Sequence, residues 1–145
     1  MKITIISPEP GQEDEIIIRC AHLDDRLMNL IQSLKAEKLK LTAYSDAGIT
    51  IIDPRDVYYF EAVDNKVFAY CEKQVYEIRK KLYELEADLA NTDFLRISKS
   101  TIVDLSKVLH LSAVFNGRLE AKLKNGEKII ISRQYVPALK KKLGL

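Results

Sequence analysis

Two Asn-Gly pairs, Asn116-Gly117 and Asn125-Gly126, constrain the fold of this chain more than any other feature of the sequence. Asn-Gly is the dipeptide best suited to tight β-hairpin turns, because both residues tolerate the positive φ angles that such turns require. The intervening segment, RLEAKLK, alternates polar and apolar residues. The spacing therefore predicts a three-stranded antiparallel meander. Its middle strand packs through one face, formed by Leu119, Ala121 and Leu123.

The chain before the meander mixes strand-like and helical patterns. Four β-rich runs, LTAY, ITII, VYYFEAV and KVFAYC, lie between residues 41 and 71. A tight, exposed turn at Asp64-Asn65-Lys66 is predicted between the last two. KQVYEIRKKLYELEADLA has helical spacing, with an apolar stripe at Ile78, Leu82, Leu85 and Leu89. The basic end, YVPALKKKLGL, predicts a short closing helix.

The first 45 residues are predicted to form an extension of two strands and a helix. KITII and EIIIRC are short β-rich runs separated by the turn-prone PEPGQ. HLDDRLMNLIQSLKAEKL has leucines at three- and four-residue steps, with Asp24 or Asp25 as its cap. Its apolar stripe could complete the core or form a dimer surface, and we expect core packing. The predicted division is an extension over residues 1–45 and a domain over residues 46–145.

Charge is distributed unevenly along the sequence. Residues 1–90 carry 12 Lys/Arg and 17 Asp/Glu, whereas residues 91–145 carry 11 Lys/Arg and only 4 Asp/Glu. The C-terminal third is therefore a basic module joined to an acidic body. Such asymmetry indicates a polyanionic partner, although it also fits a charge that only keeps the protein soluble.

The sequence lacks the usual enzyme and metal signatures. There is no Gly-rich phosphate loop, no GxSxG and no HExxH, and the two histidines, His22 and His110, read as structural residues. Cys20 and Cys71 have no metal-binding spacing and read as reduced thiols. We therefore expect no enzyme activity, no cofactor and no metal. No apolar run approaches the roughly 18 residues of a membrane span, so no membrane insertion and a cytoplasmic location are expected.

The segment FLRISKSTIVDL, residues 94–105, places two cations and two hydroxyls between apolar flanks. It follows an aromatic-Glu pair before the predicted turn, Phe60-Glu61, and precedes NGEKIIISR near the end of the chain. In combination these motifs resemble the LytTR family of bacterial DNA-binding transcription regulators, over residues 53–143. The resemblance implies an α+β, mainly β fold of short antiparallel sheets in an elongated arrangement, carrying the N-terminal strand-strand-helix extension. It also implies that loops, and not a recognition helix, enter successive major grooves.

The resemblance and the chemistry of the side chains together predict which residues contact DNA. Base readout is assigned to Lys99, Arg133, Asn65 and Lys66, because amide, ammonium and guanidinium groups match base edges. Phosphate positioning is assigned to Ser98, Ser100, Arg96, Ser132, Gln134, Lys107 and Arg118.

Several of these residues have a purely structural alternative. Arg96 could pair with Glu61 or Asp104 and bind backbone carbonyls. Lys107 and Arg118 could be solvated charges on the sheet face, and Lys140, Lys141 and Lys142 could serve only the negative end of the last helix.

The expected partner is double-stranded DNA with repeated half-sites, bound by a homodimer of a stand-alone regulator without a receiver domain. The rival prediction is a binding module whose basic meander docks an acidic protein or another anionic ligand.

Overall fold

The structure, a computed structural model, describes residues 1–36 and 39–145. Within them the chain forms two antiparallel sheets and three α-helices. The strands are β1 (Leu41–Ser45), β2 (Gly48–Ile52), β3 (Val57–Val63), β4 (Lys66–Cys71), β5 (Val75–Ile78), β6 (Phe94–Arg96), β7 (Thr101–Asp104), β8 (Val108–Ala113), β9 (Leu119–Leu123) and β10 (Lys128–Ile131). The helices are α1 (Asp25–Ala36), α2 (Leu82–Asp88) and α3 (Val136–Lys142). The predicted mainly β, antiparallel fold class is confirmed.

The larger sheet has seven strands in the order β2-β1-β5-β4-β3-β7-β6, and the smaller has the order β10-β9-β8. The predicted turn joins β3 to β4, and Val63 pairs with Lys66 across it. Asp64 and Asn65 hold φ angles of 51° and 63°. Short polar side chains tolerate this left-handed conformation better than other non-glycine residues. The turn is thereby confirmed as the exposed tip of a hairpin.

The three-stranded meander is also confirmed, and its two turns differ. Between β8 and β9 the loop is five residues long, with Asn116 at φ 63° and Gly117 at φ 72°. Between β9 and β10 the Gly126 N–H donates to the Leu123 carbonyl at 2.9 Å, and Gly126 takes φ 90°. Ala121 and Leu123 are buried, as the alternation of β9 predicts.

Strand β3 divides the buried residues into two clusters. Phe60 packs with α2, whose Leu85 is buried in the same cluster together with Leu89, the residue that follows the helix. Tyr58 and Tyr59 pack into the second cluster, against β9, β10 and α3. A register shift between Val57 and Tyr59 allows these two consecutive tyrosines to reach one cluster. The same strand therefore supplies both cores.

Polar contacts also connect the two sheets. The Tyr59 hydroxyl donates to Glu127 Oε2 at 2.7 Å, and the Tyr59 ring stacks on Tyr70 with centroids 4.4 Å apart. Burial, reinforced by the Glu127 carboxylate, raises the pKa of Tyr59 above its ordinary value. Burial and the nearby Glu61 carboxylate raise the pKa of Tyr70 in the same direction. Both phenols therefore stay protonated and act as hydrogen-bond donors. Tyr59 donates across the two sheets to Glu127, whereas Tyr70 donates to Glu61 within the larger sheet.

Part of the predicted second helix is a strand. Residues Val75–Ile78 form β5, which pairs with β4 from Val67↔Ile78 to Tyr70↔Val75, and the helix begins only at Leu82. Ile78 is buried, but it reaches the core from a strand. The apolar spacing fitted a helix, yet pairing with β4 satisfies the backbone of Val75–Ile78 and overrides that local pattern.

The predicted strands of the N-terminal extension are wrong for this structure. Residues 1–24 contain no strand, because KITII and EIIIRC have no neighbouring strand to pair with. Helix α1 is present, and the Leu27 N–H donates to Asp24 Oδ1 at 2.8 Å, so Asp24 is the predicted cap. The end of that predicted helix at residues 37 and 38 lies outside the described residues.

The expected core packing of α1 is incomplete: Leu27, Ile31 and Leu34 are half-buried, and no described residue of α1 belongs to the buried core. Leu30 is 46% exposed and Leu23 is 56% exposed. Within the described part of the chain, no helix is long and apolar enough to cross a membrane.

Asp53 gives the fold a pH-dependent stability. Its carboxylate accepts from the Arg55 N–H and guanidinium and from Lys40 Nζ, and these contacts hold the pKa of Asp53 well below its usual range. A lowered pKa contributes stability above the unfolded value of about 4 that is lost as the pH falls. We expect Asp53→Asn to lower the free energy of unfolding by about 1 kcal/mol at pH 7. The difference from wild type should shrink below about pH 4.

Urea unfolding at pH 7 and pH 3 measures this difference. Asp56→Asn is the matched control, since Asp56 is exposed and has no ion pair among the described residues. An Asp53→Asn deficit that is equal at both pH values would contradict the role of the charge.

Candidate nucleic-acid interface

Backbone hydrogen bonds join the predicted DNA-facing segments into one surface. The Ala62 N–H, two residues before the β3–β4 turn, donates to the Ser100 carbonyl at 2.8 Å. The Ser132 N–H donates to the Ile97 carbonyl, also at 2.8 Å. The RISKS segment, residues 96–100, therefore touches β3 on one side and the Ser132-Arg133 segment on the other. We call this surface the loop surface, and it comprises residues 64–66, 96–100, 115–118 and 132–134.

The RISKS segment is the turn of a hairpin. Strands β6 and β7 pair from Phe94↔Asp104 to Arg96↔Ile102, and the Ile97 N–H donates to the Thr101 carbonyl at 3.0 Å. Ile97 is fully buried and anchors the turn in the second core. The polar residues are thus the tip of a hairpin whose apolar flanks are its two strands. The hairpin explains why the four polar side chains of the RISKS segment lie between two apolar runs.

Arg96 braces this tip from within. Its Nε donates to the Ser98 carbonyl at 2.8 Å, and its Nη2 donates to the Lys99 carbonyl. Nη1 lies 3.5 Å from Glu86 Oε1 of α2. The contacts are those of the structural alternative, but the ion-pair partner is Glu86 and not Glu61 or Asp104. By binding two consecutive carbonyls, the guanidinium restricts the conformations open to the tip.

Ser98 and Ser100 are half-buried and bond each other. Their hydroxyl oxygens are 3.4 Å apart, and the Ser100 N–H donates to Ser98 Oγ at 3.2 Å. A hydroxyl can still donate or accept one further bond, so either residue retains capacity for a phosphate oxygen. The Lys99 side chain between them is exposed and has no hydrogen bond or ion pair among the described residues. Its ammonium therefore extends from a braced tip.

Within the loop surface, the Arg133 side chain lies close to Gly117. It opens the short 3₁₀ turn Arg133–Tyr135 after β10. A Cβ added to Gly117 would lie 3.0 Å from Arg133 Cδ and 3.1 Å from its Cγ. The Arg133 stem thus lies over the first Asn-Gly turn, and Gly117 supplies both the space and the positive φ. Arg133 also has no ion pair within the described residues.

The other predicted contacts surround these two cations. Arg118 Nε donates to the Phe115 carbonyl at 3.2 Å, leaving the rest of its exposed guanidinium available. Lys66 Nζ is 3.8 Å from Glu77 Oε1 and is largely exposed. Asn65 and Gln134 are exposed, and Ser132 is half-buried. The structure therefore places ten of the eleven predicted residues on the loop surface.

Lys107 is the exception, because it lies at the opposite end of β3. Its Nζ donates to Asp104 Oδ2 at 2.8 Å, to the Val57 carbonyl at 3.1 Å and to the Arg55 carbonyl. An ammonium has three N–H donors, so all three are engaged inside the protein. The side chain is only 15% exposed and that of Asp104 only 6%. The geometry contradicts the assignment of Lys107 to a phosphate and gives it a structural role.

Two contributors to the loop surface escaped the sequence analysis. Glu86 lies ten residues before Arg96, and nothing in its helical pattern marked it as a partner. The sequence predicted Gly117 as a turn residue, but it did not predict that the Arg133 side chain lies against it. The Asn-Gly motif was a signal for the glycine alone.

Among the described residues, no group of three or more His, Cys, Asp or Glu is placed to hold a metal ion.

Exposed cations clustered on the loops of antiparallel sheets are the electrostatic footprint typical of a nucleic-acid-binding protein. Comparison with known proteins agrees: residues 47–144 match the family model of the LytTr DNA-binding domain. The chain belongs to this family.

Similar proteins support the assignment. An uncharacterised HTH-type transcriptional regulator of Staphylococcus aureus strain MSSA476 is 29% identical over 147 residues, covering 100% of this chain and 99% of the relative. The sensory transduction protein LytT of Enterococcus faecalis is 32% identical over 97 residues, covering 67% of this chain and 40% of LytT. Among solved structures, a LytTr DNA-binding domain of a methyl-accepting/DNA response regulator from Bacillus cereus has a TM-score of 0.70. It is 25% identical and covers 74% of this chain and 99% of that domain.

The relative's name refers to a helix-turn-helix, which the described residues do not contain. Strands separate α1, α2 and α3 from one another in the chain order. The whole-length match includes residues 1–46, which lie outside the family model. The N-terminal extension is thus shared with that relative.

The structural role of Lys107 is testable by stability. Lys107→Ala should lower the free energy of unfolding by about 3 kcal/mol, because it leaves the buried Asp104 carboxylate without its cation. Lys122→Ala is the control, since Lys122 is exposed on β9 and should change stability by less than about 0.5 kcal/mol. Chemical denaturation monitored by circular dichroism measures both. Equal stability of the two variants would return Lys107 to the list of surface cations.

Proposed function

We propose that the chain is a sequence-specific, double-stranded-DNA-binding transcription regulator whose loop surface enters successive major grooves. The observation that carries the proposal is the placement of Lys99 and Arg133. Both are exposed, and both stand on one surface where backbone hydrogen bonds join three segments distant in sequence. The membership of the LytTr DNA-binding family and the names of the S. aureus and E. faecalis relatives support it.

Base readout is assigned to four exposed side chains of the loop surface. Arg133 can donate two parallel hydrogen bonds to guanine O6 and N7, and Lys99 can donate to the same atoms. Asn65 and Lys66, at the tip of the β3–β4 hairpin, would read an adjacent groove position. The stem of Arg133 over Gly117 and the brace of Arg96 under Lys99 limit the entropy lost on binding.

Phosphate contacts fix the register of such a complex without reading its sequence. Ser98, Ser100, Ser132, Gln134 and Arg118 surround the two reading cations and have hydroxyl, amide or guanidinium groups for this purpose. Arg96 contributes by holding the tip, since its guanidinium already binds the Ser98 and Lys99 carbonyls.

The chain would act as a stand-alone regulator on repeated half-sites, with one copy on each. A full-length relative of nearly the same length supports the stand-alone arrangement. The rival function, docking of an acidic protein or another anionic ligand on the basic meander, shares the charge but requires no preference among duplexes.

Arg133→Ala tests the proposal. We expect it to weaken binding to the selected operator by about 1–3 kcal/mol and binding to a scrambled duplex much less, because the lost contact reads a base. Operators are first selected from genomic fragments with the purified full chain, and affinities are then measured by fluorescence anisotropy at two salt concentrations.

Lys73→Ala is the matched control for charge. Lys73 is an exposed cation in the β4–β5 turn, at the opposite end of β4 from Asn65, and its removal should leave both affinities nearly unchanged. Equal losses on operator and scrambled duplex for Arg133→Ala would remove it from base readout. The absence of any preferred duplex near physiological salt would favour the anionic-ligand module.

A further inference from the structure

The sequence Ile-Thr-Ile-Ile occurs twice in this chain. Ile49-Thr50-Ile51-Ile52 is part of β2, whereas Ile3-Thr4-Ile5-Ile6 lies in the N-terminal extension without a strand partner. Because residues 49–52 lie in β2, this four-residue sequence is able to form a strand within this protein. Strand β2 pairs with β1, whereas residues 3–6 pair with no described strand.

Strand β2 is an open edge of the larger sheet. It pairs with β1 on one side and has no described strand on the other. Its side chains Ile49 and Ile51 are each 70% exposed, and Gly48–Ile52 contains no charge and no proline. Natural sheets usually protect their edges with charged residues or proline. An unprotected, apolar edge presents unpaired backbone groups to an added strand.

The accessible surface of the chain supports an unfilled interface. It measures 10675 Å². A compact monomer of 16.6 kDa exposes about 7,600 Å², so the excess is about 3,000 Å². A stable interface of standard size needs only about 800 Å² from each partner.

Part of the exposed apolar surface lies in the extension. Ile5 is 94% exposed. The other large apolar residues of the extension that are exposed are Met1, Ile3, Ile6, Ile16, Ile17, Leu23 and Leu30. Soluble monomers rarely expose so many within one segment. The extension therefore leaves apolar surface that the rest of the described chain does not cover.

We propose that residues Lys2–Ile6 of one copy add as a strand to the β2 edge of a second copy, forming a homodimer without DNA. The occupant is a second copy because the chain supplies both matching parts, the arm and the edge, and each remains exposed in a single chain. A two-fold exchange covers both arms at once, since an isologous interface uses each surface twice. The pairing would place Ile3 and Ile5 beside Ile49 and Ile51, where β-branched cross-strand pairs are favourable.

The dimer would affect DNA binding only through the relative placement of its two loop surfaces. The loop surface lies on other strands, at the β3–β4, β6–β7 and β8–β9 turns, whereas the arm meets β2 at the sheet edge. Each copy therefore keeps its loop surface free. Two copies joined in this way would present two loop surfaces to two half-sites.

Sedimentation velocity of the full chain without DNA tests the proposal. Wild type should be dimeric at about 10 µM or above, and Thr4→Pro and Ile51→Lys should each raise the dissociation constant at least about tenfold. Proline removes a backbone donor from the arm, and lysine on the edge is the device by which sheets resist strand addition. Both positions are exposed in the single chain, and circular dichroism verifies that the variants fold.

Glu13→Pro is the matched control, because it introduces proline into the same exposed extension outside the Ile-rich run. It should leave dimerisation unchanged. A wild type that is monomeric up to about 100 µM, or a dimer that survives both Thr4→Pro and Ile51→Lys, would overturn the proposal.

Cross-linking identifies the occupant directly. A chain with Ile3→Cys and a tagged chain with Ile51→Cys, both in a Cys20→Ser background, should be joined by a short thiol cross-linker into one two-chain species. A chain carrying both cysteines that instead cross-links within itself at high dilution would assign the arm to its own sheet, and would also overturn the proposal. None of these measurements uses DNA, so their failure leaves the proposed DNA binding untouched.

Discussion

Burial of strand β3 on both faces and both edges is the constraint on which the rest of the structure depends. It pairs with β4 and β7, and its side chains enter both hydrophobic clusters. The shift at Val57/Tyr59 makes this possible, because it directs two consecutive tyrosines to the same side. At one end β3 receives the Lys107 ammonium on the Val57 carbonyl, and at the other it donates from Ala62 to Ser100. One strand thus anchors the structural cation and the loop surface at its opposite ends.

The loop surface obtains its rigidity from groups that do not face the solvent. Ile97 is fully buried beneath the tip, and Arg96 binds two carbonyls of the tip from below. Arg133 is positioned by the absence of a side chain at Gly117. Lys99 and Arg133 therefore lose part of their conformational freedom before any ligand binds. Their charged ends have no ion pair among the described residues. Preorganisation of this kind favours affinity, since less ordering remains to be done on binding.

The N-terminal extension follows a different logic from the domain. Both hydrophobic clusters are built mainly from residues of the domain, whereas the extension leaves isoleucines and an unpaired strand sequence accessible. The whole-length match to the S. aureus relative includes this extension, so the domain is not its only shared part. A loop surface and an association surface on separate strands allow binding and assembly to change independently.

The sequence by itself determined the elements whose signals are local. The Asn-Gly meander, the Asp64-Asn65 turn and a cap at Asp24 or Asp25 all depend on the conformational preferences of a few neighbouring residues, and the family motifs are likewise short local patterns. Tertiary structure decided the rest. Val75–Ile78 forms a strand because it pairs with β4, and KITII does not because no described strand lies beside it. Lys107 and Lys99 are the same residue type in the sequence. In the structure, Lys107 donates to three internal acceptors, whereas Lys99 projects from a hairpin tip. Pairing and burial are relations between distant segments, and the local sequence does not contain them.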